Sequence, residues 1–295
     1  MDIYKETNNS DNSEEIIEYI DEPDEIEILD YIDIESFDMD VIPANVSIST
    51  MSLTCYLGTL FKMDNIYNYM ILDLSNVVDI KSSKGRRYIK GYTPKSKKSN
   101  FFNQTTITMK VEDNKYINIK LFKNGSIQMT GCRDLRHANI AISKLIYKLK
   151  ERLVINSDDS SLKEIIFVDN PENISVSRFK IDLINSNFGI SYNINREQLY
   201  NILTQEGVFC RLSSIHACVN IKFKSIDPDT NAETLVSIFV FQTGNIIITG
   251  AKKAKQVKDA YNYIVRILNK NKMNIMKKDI NSILSNVEIN DILSN

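Results

Sequence analysis

The chain has 295 residues, 43% apolar content and a formal net charge of −2, and is long enough for one or two packed cores. The lack of a run of about 18 apolar residues argues against a membrane span, and the acidic N-terminus argues against a signal peptide, so an intracellular protein is expected. The four cysteines have no CxxC spacing; Cys210, His216 and Cys218 could ligate zinc, but reduced thiols and no metal or cofactor are expected.

Charge is segregated along the chain. Residues 1–40 hold 16 acidic side chains and one lysine, whereas the rest holds 35 basic and 22 acidic side chains. We therefore predict an acidic, disordered tail over residues 1–42 and a body that binds a polyanion. Because isoleucine and tyrosine alternate with the acids, the tail could dock on a partner, fold back on a basic face or only be solvated.

Residues 43–153 are predicted to form a first unit. Its expected order is a strand at Ile48–Leu53, a helix at Lys62–Leu74, a strand at Thr105–Val111, a hairpin and a long amphipathic helix. A basic insertion at about 80–100 has eight lysines and arginines and no acid. This insertion is either a solvated loop or part of a binding surface.

After a polar linker at 154–177, residues 178–271 are predicted to repeat this order, and residues 272–295 to add a helix. The second unit has strands at Phe179–Ile190 and Ala217–Phe223 and a helix at Arg196–Thr204, for which Asn195 is the N-cap.

An offset of 119 aligns the two hairpins and the helices that follow. The residues identical in both hairpins are Phe122, Gly125, Thr130 and Gly131 in the first and Phe241, Gly244, Thr249 and Gly250 in the second. The apolar helix positions that align are Leu135, Ala138, Ile142, Leu145, Ile146 and Leu149 with Ala254, Val257, Tyr261, Ile264, Val265 and Leu268. The duplication predicts an α+β fold with two pseudo-symmetric repeats.

Alternation along each hairpin separates two faces. The face predicted to pack under the helices is Ile117, Ile119, Leu121, Ile127 and Met129 in the first repeat and Val236, Ile238, Val240, Ile246 and Ile248 in the second. No second helix layer covers the opposite face, which carries phenylalanines among amides and hydroxyls. Such a surface with a basic surround fits the DNA minor groove, where aromatic wedges unstack base steps and bend the duplex.

These residues resemble the TATA-box-binding protein family, whose two repeats form a saddle-shaped antiparallel sheet with helices on the convex face. The family's Ile-Phe, Gly and Thr-Gly-Ala-Lys pattern is nearly whole from Ile238 to Lys252, and the first repeat keeps Leu121-Phe122, Gly125 and Thr130-Gly131. The resemblance spans about residues 44–270. The Asn-, Ile- and Lys-rich composition and the basic insertion look like those of the family's homologues in large cytoplasmic DNA viruses.

The resemblance implies DNA contacts at particular positions. Phe122 and Phe241 match intercalating residues. The partner of Phe122 would be Phe102 or Phe101, and that of Phe241 would be Phe209 or Ile215. The other implied contacts are Thr130, Thr249, Gln128, Lys120, Asn185, Phe239, Ile247, Asn45 and Ile48. Leu183 and Val46 replace the family's central asparagines, which together with Gln128 argues against strict TATA specificity.

The expected function is therefore a non-enzymatic transcription initiation factor that binds and bends AT-rich promoter DNA. Its helices, including Lys252–Lys255, would recruit general transcription factors and RNA polymerase, in the nucleus or in a cytoplasmic viral factory or virion. One alternative is a protein-docking module of the transcription apparatus that has lost TATA-specific binding. A second, an enzyme accessory domain, is disfavoured because the body has no paired carboxylates, metal-ligand clusters or phosphate loops.

Overall fold

A computed structural model describes residues 3–7, 16–20, 26–94, 102–156, 161–213, 215, 217–226 and 230–277. The chain folds as two units, one formed by Met1–Phe37 and Thr50–Asp182 and the other by Asp38–Ser49 and Leu183–Asn295. Within the described ranges, no helix is both long and apolar enough to cross a membrane.

The first unit is an α+β structure with two antiparallel sheets. Its strands are β1 (Ile3–Thr7), β2 (Ile16–Ile20), β3 (Ser47–Tyr56), β4 (Val77–Ser82), β5 (Gly85–Ile89), β6 (Gln104–Glu112), β7 (Lys115–Phe122), β8 (Ser126–Cys132), β9 (Arg152–Asn156) and β10 (Leu162–Ile166). The main sheet has the order β1–β5–β4–β6–β7–β8–β3, and the smaller sheet has the order β10–β9–β2. The helices are α1 (Met63–Tyr69) and α2 (Arg136–Lys150).

The second unit repeats this plan with fewer strands. Its elements are β11 (Ser177–Gly189), α3 (Arg196–Gln205), β12 (Cys210–Ser213), β13 (Cys218–Ile226), β14 (Glu233–Phe241), β15 (Asn245–Ala251), α4 (Ala254–Lys270) and α5 (Lys272–Ile275). The strands are antiparallel in the order β11–β15–β14–β13–β12. Asn195 is the predicted N-cap of α3, because its Oδ1 accepts the Gln198 N–H at 3.1 Å. The order strand, helix, antiparallel strands and helix therefore occurs twice, and the predicted α+β class is confirmed.

One long helix covers one face of each sheet. α2 packs on β6 and β8, and α4 packs on β13, β14 and β15. All ten alternating Ile, Leu, Val and Met residues that were predicted to lie under the helices are fully buried, and each contributes about 1.5–3 kcal/mol of burial free energy. The matched helix stripe is buried too, except that Tyr261 and Val265 are half-exposed.

A glycine turn fastens each hairpin in the same way. Gly125 and Gly244 have φ angles of +87° and +82°, in the region that glycine enters at little cost. The Gly125 carbonyl accepts the Leu57 N–H at 3.0 Å, and the Gly244 carbonyl accepts the Ile190 N–H at 3.0 Å. Each turn is thus tied to the residue that follows the first strand of its repeat, which fixes where the end of the hairpin lies.

Residues 26–42 differ from the predicted disordered tail. Ile32 is buried, its N–H donates to Asn139 Oδ1 at 3.0 Å, and the Leu29 N–H donates to Ser143 Oγ at 3.0 Å. Asn139 and Ser143 belong to α2, so residues 29–32 lie on the helix side of the first unit. The acidic composition did not predict this contact, because it depends on hydrogen bonds between backbone N–H groups of the segment and two polar side chains of α2.

The linker and the basic insertion also contain regular structure. β9, which begins two residues before the predicted linker, pairs with β10 inside it, and fully buried Phe167 and Val168 follow. β4 and β5 form a hairpin inside the insertion, and the Arg87 guanidinium is buried there, donating to the Tyr67 carbonyl at 2.6 Å. The insertion is therefore not a solvated loop over its described part. Of the helix expected at 272–295, α5 is described, and residues 278–295 lie outside the described ranges.

Candidate nucleic-acid interface

The face of the first sheet opposite α2 presents two polar rows, defined by strand register. Thr54, Gln128 and Lys120 are neighbours across β3, β8 and β7, and Ser52, Thr130 and Asn118 form the next row. Lys120 Nζ donates to Gln128 Oε1 at 3.3 Å. Because this distance is long for an N–H···O bond, the pair can exchange partners with a ligand at little cost.

The corresponding face of the second sheet is partly apolar. One row consists of Asn187, Ile247 and Phe239, and the next of Asn185, Thr249 and Ser237. The Thr249 hydroxyl is hydrogen-bonded to Asn185 Oδ1, and Lys222 Nζ donates to Ser237 Oγ at 2.6 Å. The threonines of the two Thr-Gly pairs therefore occupy matching places on the two faces.

Register also shows which residues of the two first strands are equivalent. β3 shifts register between Met51 and Ser52 opposite Thr130, and β11 shifts between Ile184 and Asn185 opposite Thr249. Ser52 thus corresponds to Asn185, and Thr54 to Asn187. By the same count Leu183 corresponds to Thr50, so its predicted equivalence with Val46 is wrong.

The residues next to Val46 do not extend the polar rows. Val46 is buried and precedes β3, while Asn45 Nδ2 donates to the Tyr261 hydroxyl of α4 at 2.9 Å. Asn45 therefore does not lie in either row, in contrast to its predicted place in the interface. Ile48 is half-exposed near the start of β3.

Two phenylalanines meet at the end of the first hairpin. Phe122 ends β7 opposite Gln104, and Phe102 lies two residues before Gln104 with 89% of its surface exposed. Both rings line a cavity of about 600 Å³ together with Tyr67 and Lys84. The structure thus brings the predicted pair Phe102 and Phe122 together, whereas Phe101 lies outside the described residues.

The matching end of the second hairpin lies beside Ile215. Phe241 pairs with Cys218, the first residue of β13, and Ile215 lies in the turn three residues earlier, 88% exposed. Phe209 is further along β13, since its carbonyl accepts the Lys222 N–H at 3.0 Å. Of the two predicted partners of Phe241, Ile215 is therefore the one that lies at the correct end of the sheet.

The first sheet carries the basic residues Lys81 and Arg86 on β4 and β5. The carboxylate of Asp79 is neutralised by Arg86, whose Nη2 lies 2.8 Å from Asp79 Oδ2, and it also accepts from the Thr108 hydroxyl at 3.1 Å. Burial, and then repulsion from Arg86, lowers the pKa of Lys81, which is cross-strand from Arg86.

Several face residues were missed by the sequence analysis. Thr54 and Asn187 lie beside Gln128 and Ile247, and Asn220 lies opposite Phe239. The Thr54 hydroxyl and Asn220 Oδ1 are buried without a hydrogen-bond partner. Alternation could have found Asn220, because Val219 and Ile221 on either side are buried.

The zinc alternative gains no support from the described residues. Among them, no three His, Cys, Asp or Glu side chains cluster to hold a metal ion. His216, which that alternative requires, lies outside the described ranges.

Comparison with known proteins adds three findings. Residues 229–271 match the family model described as transcription factor TFIID, or TATA-binding protein. Over 249 residues the chain is 38% identical to a curated "TATA-box-binding protein-like" protein of Acanthamoeba polyphaga mimivirus, an alignment that covers 77% of this chain and 65% of that protein. The chain therefore spans just under two thirds of that relative. Methanococcus jannaschii TBP aligns at a TM-score of 0.45 and 19% identity, covering 77% of this chain and 99% of that chain.

Proposed function

The chain belongs to the divergent TATA-box-binding-protein-like family, and from this premise we propose that it is a transcription factor that binds and bends AT-rich DNA in the minor groove. One observation carries the proposal. In both repeats, the sheet face opposite the long helix ends in an outward phenylalanine beside a glycine turn, Phe122 and Phe241, with a highly exposed apolar residue nearby.

The minor groove suits this face for a chemical reason. Its floor offers mostly the acceptors A N3 and T O2, which short hydroxyl and amide side chains and apolar contacts can read. Ser52, Thr130, Asn185 and Thr249 supply such groups on two neighbouring strands of each sheet. The lysines and arginines at the edges would contact phosphates, so affinity should fall steeply as salt is raised.

The aromatic ends supply the bend. Rings that enter a base step unstack it and kink the duplex towards the major groove. Phe102 with Phe122 would act in the first repeat, and Ile215 with Phe241 in the second.

The test is a bending measurement by energy transfer on an end-labelled AT-rich duplex. Phe122→Ala with Phe241→Ala should abolish most of the bend while salt-dependent binding persists, because phosphate contacts remain. The matched control, Phe209→Ala, removes an equally large exposed ring away from the hairpin end and should leave the bend unchanged. Full bending by the double variant would refute the wedge assignment. If the wild-type chain neither bends AT-rich duplexes nor binds them salt-dependently, a protein-docking role for this face becomes the better reading.

Recruitment of the transcription machinery is assigned to the outer face of α4. Lys255, Lys258 and Arg266 are exposed there on the side opposite the buried stripe, and Lys255 forms an i,i+4 pair with Asp259 at 3.6 Å. Lys258→Glu with Arg266→Glu should weaken capture of general transcription factors while DNA affinity changes by less than about twofold. Equal loss of both activities would contradict separate surfaces.

A further inference from the structure

We propose that the two repeats read base composition differently: the second repeat rejects a guanine amino group, and the first accepts one through Gln128. The inference rests on the proposed minor-groove binding and adds that the two repeats differ in whether they accept G·C pairs. It predicts that the protein chooses its orientation on a site by where the G·C pairs lie.

The two repeats carry different side chains at equivalent positions of these sheet faces. Gln128 pairs with Thr54 and Lys120, and Ile247 pairs with Asn187 and Phe239. The offset of 119 that aligns the hairpins also aligns Gln128 with Ile247 and Lys120 with Phe239. All four side chains are half-exposed on the face that the long helices leave uncovered. A polar pair in the first repeat therefore stands where the second repeat has an apolar pair.

The chemistry of the groove makes this difference selective. A G·C pair differs from A·T in the minor groove by one donor, the guanine N2 amino group. Ile247 and Phe239 offer that donor no acceptor, and the neighbouring Asn187 amide is already engaged, since its Nδ2 donates to Ser49 Oγ at 2.6 Å. Each such pair should cost about tenfold in affinity.

Gln128 can supply the missing acceptor. Its Oε1 now accepts from Lys120 Nζ at 3.3 Å, and it can accept from the guanine amino group instead. Lys120 has three donors and would turn to a base O2 or to a phosphate.

The test uses one palindromic A·T duplex with G·C placed in one half, in both halves, or in neither. G·C in one half should cost less than about twofold, because the protein turns to place that half on the first repeat. G·C in both halves should cost about tenfold, and inosine·C in both halves should restore binding, because inosine lacks the amino group. A dye on the protein and one at a duplex end should report the orientation by energy transfer.

Exchanging the residues at these two positions should exchange the tolerance of the two repeats for G·C pairs. Gln128→Ile should make G·C in a single half cost about tenfold, and Ile247→Gln should make G·C in both halves tolerable. Both positions are half-exposed on a sheet surface, and thermal melting checks that each variant is folded. The cost of G·C is measured for each variant relative to its own affinity for the all-A·T duplex.

The outcomes separate this inference from the function on which it rests. A cost of about tenfold for G·C in a single half, on a duplex that is otherwise bound and bent, would overturn the inference alone. Tolerance in both halves that is lost on Asn220→Leu would assign the acceptor to Asn220 Oδ1 instead and would also overturn it. No binding to the all-A·T duplex would overturn both proposals.

Discussion

The two repeats share one backbone plan but differ in several side chains at equivalent positions. Both keep the glycine turn, the outward phenylalanine and the Thr-Gly pair, which set the course of the backbone. Other equivalent positions have diverged, so that buried Lys148 in α2 stands where α4 has buried Ile267. Residues that fix backbone geometry are retained, whereas a side chain that only fills space can change when its neighbours change with it.

The largest effect is expected at Lys148. Its Nζ lies 2.6 Å from Glu151 Oε1 and 3.5 Å from Asp73 Oδ2, and both Lys148 and Glu151 are buried. Lys148→Ile, which imitates the second repeat, should lower the free energy of unfolding by about 3–5 kcal/mol. The reason is that the buried Glu151 carboxylate loses its cationic partner Lys148. Adding Glu151→Leu should recover most of that loss in urea unfolding. A single variant as stable as the wild type would show that the pair is not needed, and Ile267→Val, costing about 1 kcal/mol, is the control.

The same pair gives a pH dependence. Burial alone would lower the pKa of Lys148, but Glu151 and Asp73 outweigh it and raise the pKa above its ordinary 10.5. A raised lysine pKa contributes stability that is fully present below 10.5 and is lost as the pH rises through the folded-state value. On the alkaline side, the stability gap between the wild type and Lys148→Ile should therefore hold up to about pH 10.5 and narrow above it. A gap that already narrows between about pH 8 and pH 10 would contradict the assignment.

The next effect compares the two glycine turns. A Cβ on Gly125 would lie 2.2 Å from the Thr59 carbonyl oxygen, and one on Gly244 would lie 2.6 Å from that of Tyr192. Gly125→Ala should cost about 3 kcal/mol and Gly244→Ala about 2 kcal/mol, because each adds a backbone clash to the strain of positive φ. Gly91→Ala and Gly207→Ala, also at positive φ but with open space around the Cβ, should cost only about 1 kcal/mol. Equal losses in all four variants would mean that the turn contacts are immaterial.

A smaller effect distinguishes the wedge partners of the two repeats. Phe102→Ala and Ile215→Ala should each reduce the DNA bend at one end, the first more strongly because it removes a ring. Duplexes labelled near one end can report each kink separately by energy transfer. If Ile215→Ala left the bend intact, the second repeat would depend on Phe241 alone.

The smallest effect concerns thiol reactivity. Burial raises the pKa of Cys55 and of Cys132 in the first repeat to about 12, so that only about one thiol in ten thousand is a thiolate at pH 8. Cys210 in the second repeat is half-buried and should react first with iodoacetamide in the folded protein. Mass spectrometry of the native protein should find Cys55 and Cys132 unmodified, and early labelling of either would show that the first repeat opens.

Much of the backbone plan shared by the two repeats could be predicted from the sequence. Alternation found the buried faces of both hairpins, because the side-chain period of a strand is a local property. Asn195 was found as an N-cap because capping depends on residues only three positions apart. The duplicated motif predicted two equivalent hairpin-and-helix units, and both are present.

Tertiary structure decided what depends on distant partners. The sequence alone, by its periodicity and its repeat, determined the core, the turns and the two outward phenylalanines. Only pairing between strands showed that Leu183 corresponds to Thr50, that Ile215 rather than Phe209 lies beside Phe241, and that Asn45 bonds Tyr261 instead of joining the polar rows. Residues 29–32 likewise take their place from Asn139 and Ser143, more than a hundred positions away. Strand register and docking are set by long-range hydrogen bonds, which leave no period in the sequence itself.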